Sequence, residues 1–389
     1  VRAAVFSTGI FFSGLAFALP QGGQVASGGI VIQQPDASNM TITQSTPKAI
    51  INWGSFNIDP GQAVNFIQPG TSAIALNRIM TGTPTTIQGI LSANGQVWII
   101  NPAGVLFTNT AIVDVGGLLA STLNINDQDF LDGNYRFFSV GADNHTVINE
   151  GSITATGGNE GMVALVGGGA ENRGMIVANL GKVALGAGRG FTLDFSGDQL
   201  IQFALGDELP ASASAPVVNS GTIRANGGQV LLTARTAAAV VNNVVSMTGV
   251  IEAKTALRKG NVIILGGDEG EVNVGGSINV SADSGDAGKV VIKGNKLRVN
   301  SNIIANGSGE GGQVELRGQK LNLTGLQLNA SGGAGKGGSL LIQPAFVILS
   351  SGLNSDALLA PDLSAIDPDF LSAQLNNGTT VTIDNQLTP

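Results

Sequence analysis

The 389 residues include one histidine, His145, and no cysteine. These two residue types supply most zinc ligands and most nucleophile–base pairs. A Cys–His pair or a zinc cluster therefore cannot be built, and at most one His-based triad could be. His145 stands in Asp143-Asn-His-Thr146, a stretch that reads as a surface turn. No Gly-x-Ser-x-Gly elbow occurs. Gly333-Ala-Gly-Lys-Gly-Gly338 has the spacing of a dinucleotide loop, but it precedes a strand pattern where that chemistry needs a helix. Gly266-Gly-Asp-Glu-Gly-Glu271 lacks the register of the calcium-binding nonapeptide, so neither metal nor cofactor is expected. The densest acids, Asp194, Asp198, Asp207 and Glu208, are what a polysaccharide-cleaving solenoid would use, yet they follow no repeated register. Sequons such as those at Asn144, Asn306 and Asn322 are expected by chance in so Asn-, Ser- and Thr-rich a chain.

One short motif does carry a definite geometry. In Asn101-Pro102-Ala103-Gly104, followed by Val105, Asn at the first position can accept backbone N–H bonds, Pro fixes φ at the second, and Gly suits the fourth. That is a type I turn. Its function is either to fold the chain or to contact a partner, and the tetrad alone does not separate the two.

Composition narrows the scaffold that holds this turn. Glycine numbers 57, about double its usual share, while charged residues are 12%, about half of theirs. The formal charge is −8 and the mean hydropathy +0.26, with no basic cluster beyond Lys289 to Arg298, so nucleic acid is not an expected partner. A hydrophobic share of 43% is too high for a disordered chain. Runs of about 20 apolar residues, which a multi-span membrane protein needs, are absent after residue 19. Arg2 followed by the glycine-broken apolar run Ala3 to Leu19, ending in Ala16-Phe-Ala18, reads as a signal peptide over residues 1–18, truncated at its charged end. Export into an oxidising envelope also gives the lack of cysteine a meaning, because a premature disulfide would block a chain that must thread a pore.

The body of the chain repeats. Asn149-Glu-Gly-Ser-Ile-Thr-Ala, Asn172-Arg-Gly-Met-Ile-Val-Ala, Asn219-Ser-Gly-Thr-Ile-Arg-Ala and Met247-Thr-Gly-Val-Ile-Glu-Ala share one phrase, loosened at Gly276, Asn302 and Gly325. The marker glycines are spaced by 23, 47, 28 and 27 residues, and the 47 reads as two periods, with Phe191 to Leu205 filling the second. Each phrase is followed by a second strand such as Gly161-Met-Val-Ala-Leu-Val, Gly228-Gln-Val-Leu-Leu or Gly312-Gln-Val-Glu-Leu. Aliphatics at every second position mark half-buried strands, with Gly or Asn at the joints, where positive φ is expected. Two or three short strands per roughly 25 residues predict a parallel β-solenoid whose coils bury their aliphatics against one another. Asn at the bends would stack into ladders. Further strands are expected at 29–33, 39–43, 49–53, 63–67 and 97–100. Asn124 to Phe138 is the expected excursion from the stack, and Asp367-Pro368 caps a short helix over 369–375. The strand 379–383 opens a coil, so the chain is expected to continue.

Several phrases of the first third resemble the N-terminal secretion domain of the filamentous-haemagglutinin family, the exoproteins of two-partner secretion in Gram-negative bacteria. They are Trp53-Gly-Ser-Phe-Asn-Ile, Phe66-Ile-Gln-Pro-Gly-Thr-Ser-Ala-Ile-Ala-Leu-Asn-Arg-Ile79, Ile87 to Val105, and Val115-Gly-Gly-Leu-Leu-Ala-Ser-Thr122. The family's Asn-Pro-Asn-Gly motif corresponds to Asn101, Pro102, Ala103, Gly104 and Val105, with Ala in place of the second Asn. Gln68-Pro69-Gly70 occupies the neighbourhood of a second Asn-Pro motif that has no clear counterpart.

The resemblance implies a right-handed parallel β-helix with an N-terminal cap and extra-helical hairpins. It divides the chain into a secretion domain over 19–260 and further repeats over 261–389. It also implies the partner, an outer-membrane transporter barrel with periplasmic recognition domains, through which the chain passes unfolded before it coils outside. The expected function is that of the secretion domain and proximal shaft of a haemagglutinin- or adhesin-like fibre that meets a host-cell or bacterial surface, without enzymatic activity or small-molecule substrate. The alternatives are a polysaccharide-degrading solenoid and an exoprotein with a cytolytic or haem-scavenging C-terminal region.

Overall fold

A computed structural model describes residues 19–141, 145–194, 200–202, 209, 216–235, 244–257, 259–266, 270–333, 336–350 and 363–385. The expected signal segment, 1–18, lies outside them. The chain winds through three sheets in turn. Among the described residues, a 13-stranded first face runs from Gln24–Ser27 to Thr380–Ile383, and an 11-stranded second face starts at Thr85–Ile87. The 12-stranded third face runs from Ile30–Gln33 to Gln327–Asn329. One coil is Gly169–Asn172 on the second face, Met175–Val177 on the third and Lys182–Ala187 on the first. Each strand pairs parallel and in register with its counterpart one coil away. The parallel β-helix expected from the repeat is thus the observed architecture.

The register explains why the phrase repeats. Ile153, Ile176, Ile223, Ile251, Ile278 and Ile303 stand directly above one another, all fully buried. Val163, Val183, Val230, Val262, Val290 and Val314 do the same on the first face. Each such side chain contributes roughly 1.5–3 kcal/mol on burial, and one column joins the cap to the last coils.

The asparagine ladder is present over three coils. Asn149 Nδ2 donates to Asn172 Oδ1 and Asn172 Nδ2 to Asn219 Oδ1, both at 2.8 Å, with all three side chains fully buried. Met247 occupies the next rung, so the ladder stops and Asn219 Nδ2 has no hydrogen-bond partner among the described residues.

Two expectations need correction. The 47-residue spacing is a single coil carrying an insertion, because Asn172 pairs directly with Asn219 and Lys182 with Gln229. Part of the inserted chain forms Gly190–Leu193 and Ile201–Gln202, which leave the stack. The marker glycines, moreover, are not at positive φ; the backbone adopts it elsewhere, for example at Gly104 and Gly133. Their reason is steric. A Cβ on Gly174, Gly221, Gly249 or Gly276 would overlap the carbonyl oxygen of the marker glycine one coil before. At the entry to the first face two further runs are built the same way, Gly161, Gly181 and Gly228, then Gly260, Gly288, Gly312 and Gly338; a Cβ on Gly260, which starts the second run, would meet the Ala253 carbonyl instead.

Both ends of the stack depart from the repeat. Gln24–Ser27 and Ile30–Gln33 pair antiparallel with Lys48–Trp53 and Asn39–Gln44, forming the expected N-terminal cap. Near the other end, Asp367 caps the helix Pro368–Asn376 by accepting the N–H of Asp369 at 2.9 Å, as expected. That helix stands between a second-face strand, Leu363–Ile366, and a first-face strand, Thr380–Ile383, where the regular coil would place a third-face strand.

The excursion is a strap across the first face. It comprises the helix Asp127–Asp132 and a three-stranded antiparallel sheet of Arg136–Phe138, Gly190–Leu193 and Ile201–Gln202. Phe137 stacks on Phe191 with ring centroids 4.3 Å apart, and Trp98 packs against Phe130 and Tyr135. Together with Ile74, Leu76, Ile100 and Leu119 these form a second core outside the coils. The sequence signal was the unbroken apolar run in strands such as Gln96–Ile100, since a strand buried on both faces loses its alternation. Two cations bolt the strap down. Lys48 Nζ donates to the carbonyls of Phe130 and Leu131, both at 2.9 Å. Arg78 reaches the Ile125 carbonyl at 2.7 Å and Asp127 at 2.6 Å.

Gly221→Ala is expected to lower unfolding free energy by about 1–3 kcal/mol in urea titration, because the coils must part to admit the methyl group. Gly275→Ala, with no atom closer than 3.9 Å to the new Cβ, should change it by less than about 0.5 kcal/mol. Asn172→Ala breaks the ladder in both directions and should cost about 1–3 kcal/mol for the buried amide left unpaired.

Candidate functional site

The tetrad at 101–104 is a corner of the helix between the first and second faces. Asn101 closes the strand Gln96–Ile100, and Val105–Phe107 opens the next. The Asn101 Oδ1 accepts the Ala103 N–H at 3.0 Å, and its carbonyl accepts the Gly104 N–H at 3.0 Å, so a side-chain turn is nested inside a backbone turn. Its Nδ2 donates one coil back, to the Thr83 carbonyl and the Thr85 Oγ1, both at 2.9 Å. Its backbone N–H donates one coil forward, to the Ser121 carbonyl at 2.9 Å. Asn101 is fully buried and clamps three successive coils. Gly104 has φ +110°, which L side chains rarely adopt, and its carbonyl accepts the Thr85 N–H. Val105 is a core residue, while Pro102 and Ala103 are half-exposed.

Gln68-Pro69-Gly70 sits at the other end of the strand Gln96–Ile100 and is equally structural. Gln68 Nε2 donates to Gln44 Oε1 at 3.0 Å and to the carbonyls of Ala73 and Gln96, and its Oε1 accepts the Gly95 N–H at 3.1 Å. Its backbone N–H and carbonyl both bond Asn94, at 2.7 Å. Gln44, the partner one coil earlier, was not singled out by the sequence reading. The signal was the recurrence of Gln44 and Gln68 at the exits of successive third-face strands.

The other candidates are not brought together. His145 is exposed beside Gly104, one coil on from the tetrad. Asp194 accepts from Gln202 at 3.1 Å within the strap sheet, whereas Asp198, Asp207 and Glu208 lie outside the described residues. Ala334 and Gly335 of the glycine-rich loop and residues 267–269 lie outside them too. Among the described residues, no group of three or more His, Asp or Glu is placed to hold a metal ion, and no helix is long and apolar enough to cross a membrane.

A family model described as the TPS secretion domain matches residues 16–280. The chain belongs to the TPS secretion domain family. Two heme/hemopexin-binding proteins of Haemophilus influenzae are similar to it. One, from strain ATCC 51907 / DSM 11121 / KW20 / Rd, is 34% identical over 259 residues, 66% of this chain and 28% of its own length. The other is 31% identical over 351 residues, 83% of this chain and 36% of its own length. The chain thus spans about a third of the curated relatives it matches. The crystal structure of the HMW1 secretion domain from Haemophilus influenzae matches with a TM-score of 0.74 and 26% identity, over 94% of this chain and 100% of that one. The resemblance seen in the first third is therefore borne out. The TPS family is one of exoproteins secreted through the periplasm of Gram-negative bacteria by an outer-membrane transporter partner, and it is not an enzyme family.

Asn101→Ala strands the Thr85 hydroxyl and the Ala103 N–H and should cost about 1–3 kcal/mol by urea titration. Ala103→Asn, which restores the family's tetrad at a half-exposed position, should change stability by less than about 0.5 kcal/mol.

Proposed function

We propose that the TPS domain, taken as residues 19–260, is recognised by periplasmic domains of its transporter while still extended, and that Asn101 to Val105 form part of the recognised sequence. The observation that carries this reading is the burial of the tetrad's Asn: in the folded coil its whole polar complement is engaged, so a partner can read it only before coiling. Coils then form outside, each on the one before, because between the cap and the last coils the strands of the stack pair with their counterparts in the preceding coil. Burial of successive aliphatic columns opposes return of the chain through the pore without ATP. The coils over 261–389 continue the same stack, as the proximal shaft of a haemagglutinin- or adhesin-like fibre that meets a host-cell or bacterial surface.

A second reading concerns the full-length exoprotein. The names of the two curated relatives support heme or hemopexin binding as that alternative, an activity we assign to a region outside this segment. Retention of the full-length exoprotein, but not of this chain, on hemopexin-coated beads is the expected result.

Export is tested in cells that carry the transporter. Asn101→Ala and Pro102→Ala should each lower the amount of chain in the medium and raise the periplasmic fraction, and Ala103→Asn should be exported at least as well as the parent. Unchanged export of both Ala variants would sink the recognition role.

A further inference from the structure

The outer edge of the first face carries a groove that neither the tetrad nor the strap uses. Its larger part is a cavity of about 410 Å³. Lys182, Gln229, Asn261 and Lys289 line it from the same register position on four successive coils. They form a row of polar heads about 4.8 Å apart. Ile263 and Val291 lie two residues further along their strands as an apolar floor, and Lys259 stands on the corner beside them. A second cavity of about 310 Å³ meets the first at Asn159 and Lys182 and extends beneath the strap, where Tyr135 and Leu200 also line it.

The charge of this groove runs against that of the chain. The whole sequence carries −8, yet the described residues lining the two cavities include three lysines and neither Asp nor Glu. Asp286 pairs with Lys259 at 3.1 Å and Glu315 with Lys289 at 2.6 Å, both acids lying outside the lining. The two lysines stay 57% and 39% exposed in these pairs. The Lys259–Asp286 pair, exposed at both ends, is worth little, so an incoming anion can share Lys259 at small cost, whereas Lys289 is held by a Glu315 that is only 17% exposed. Burial raises the Glu315 carboxyl, but its bond to Lys289 and the nearby Arg317 outweigh that and hold it below its ordinary value.

We propose that this groove binds a linear acidic glycan along the axis of the β-helix. The Asn261 amide offers both donors and an acceptor to sugar hydroxyls, Gln229 Oε1 being buried, and the lysines at either end of the row meet carboxylates. The coil spacing is close to the advance of one sugar unit along an extended chain. An extended peptide advances about 3.3 Å per residue and drifts out of step with the rungs. Among the described lining residues no pair of carboxyl groups, the arrangement that glycoside hydrolysis uses, faces the groove, so the proposal is one of binding.

Affinity electrophoresis of the full chain through gels containing polygalacturonate, dextran or poly-L-glutamate tests this. Polygalacturonate should retard the chain at low salt and dextran should not. Lys182→Gln with Lys289→Gln should weaken retardation by about tenfold, while Lys320→Gln, on the second face, should leave it unchanged; thermal melts confirm that the variants are folded. Absence of retardation by polygalacturonate, equal retardation of the double variant, or equal retardation by dextran overturns the proposal. Stronger retardation by poly-L-glutamate overturns it in favour of an acidic peptide.

Discussion

The close approach of backbone to backbone at the glycine corners sets the geometry on which everything else in this molecule rests. Gly151, Gly174, Gly221, Gly249 and Gly276 follow one another coil by coil, and a single methyl group on any of the last four would strike the carbonyl before it. With the corners in contact, the strands between them hydrogen-bond in register, and the isoleucine and valine columns fall into line. Register is strongly specified because a slip by one residue would turn every inward aliphatic to solvent. The Asn149–Asn172–Asn219 ladder reinforces the same corner with side-chain bonds where the columns are polar.

Two cores of different kinds result. The inner column is local: each coil meets only its neighbours, and Trp53 anchors it near the cap, donating to Asn77 Oδ1 at 3.0 Å. The outer core is non-local, because Phe137 must meet Phe191 over Trp98, and the strap strands come from insertions at two separate coils. Local contacts suit a chain that emerges from a pore end first, since a coil can form as soon as it is out. The strap cannot close until the chain through Leu200 is present, so the outer surface of Ile74, Ile100 and Leu119 is covered later than the columns beneath it. Lys48 and Arg78, already in place on early coils, hold the carbonyls of the strap helix and its entry once they arrive.

The family tetrad takes on a different character in this setting. Asn101 is held by partners on three coils, Gly104 supplies a backbone angle, and Pro102 and Ala103 alone reach toward solvent. The recognition proposed for these residues does not conflict with their place in the folded corner, because the two demands would act at different times. Substituting Ala for the third residue is tolerated by the fold because only its backbone N–H is bonded.

The cap followed from the family resemblance, whereas the order of the chain alone determined the repeat, many of the strand positions, the helix after Asp367 and the first of the two places where the chain leaves the stack. Each of these is written in local chemistry: alternation of aliphatics, Asp before Pro, a polar stretch amid aromatics. The family phrases were equally legible, since Trp53 to Val105 are contiguous in sequence. Three things were decided only by the tertiary structure. The 47-residue spacing became one coil, because pairing of Asn172 with Asn219 is a contact between distant residues that a count of residues cannot distinguish from two short periods. The marker glycines proved to be spacers between coils, because the clash they avoid is with a carbonyl more than twenty residues away. The polar row of the groove, Lys182, Gln229, Asn261 and Lys289, gathered because stacking places these four residues side by side, a neighbourhood that exists only once the coils are in register.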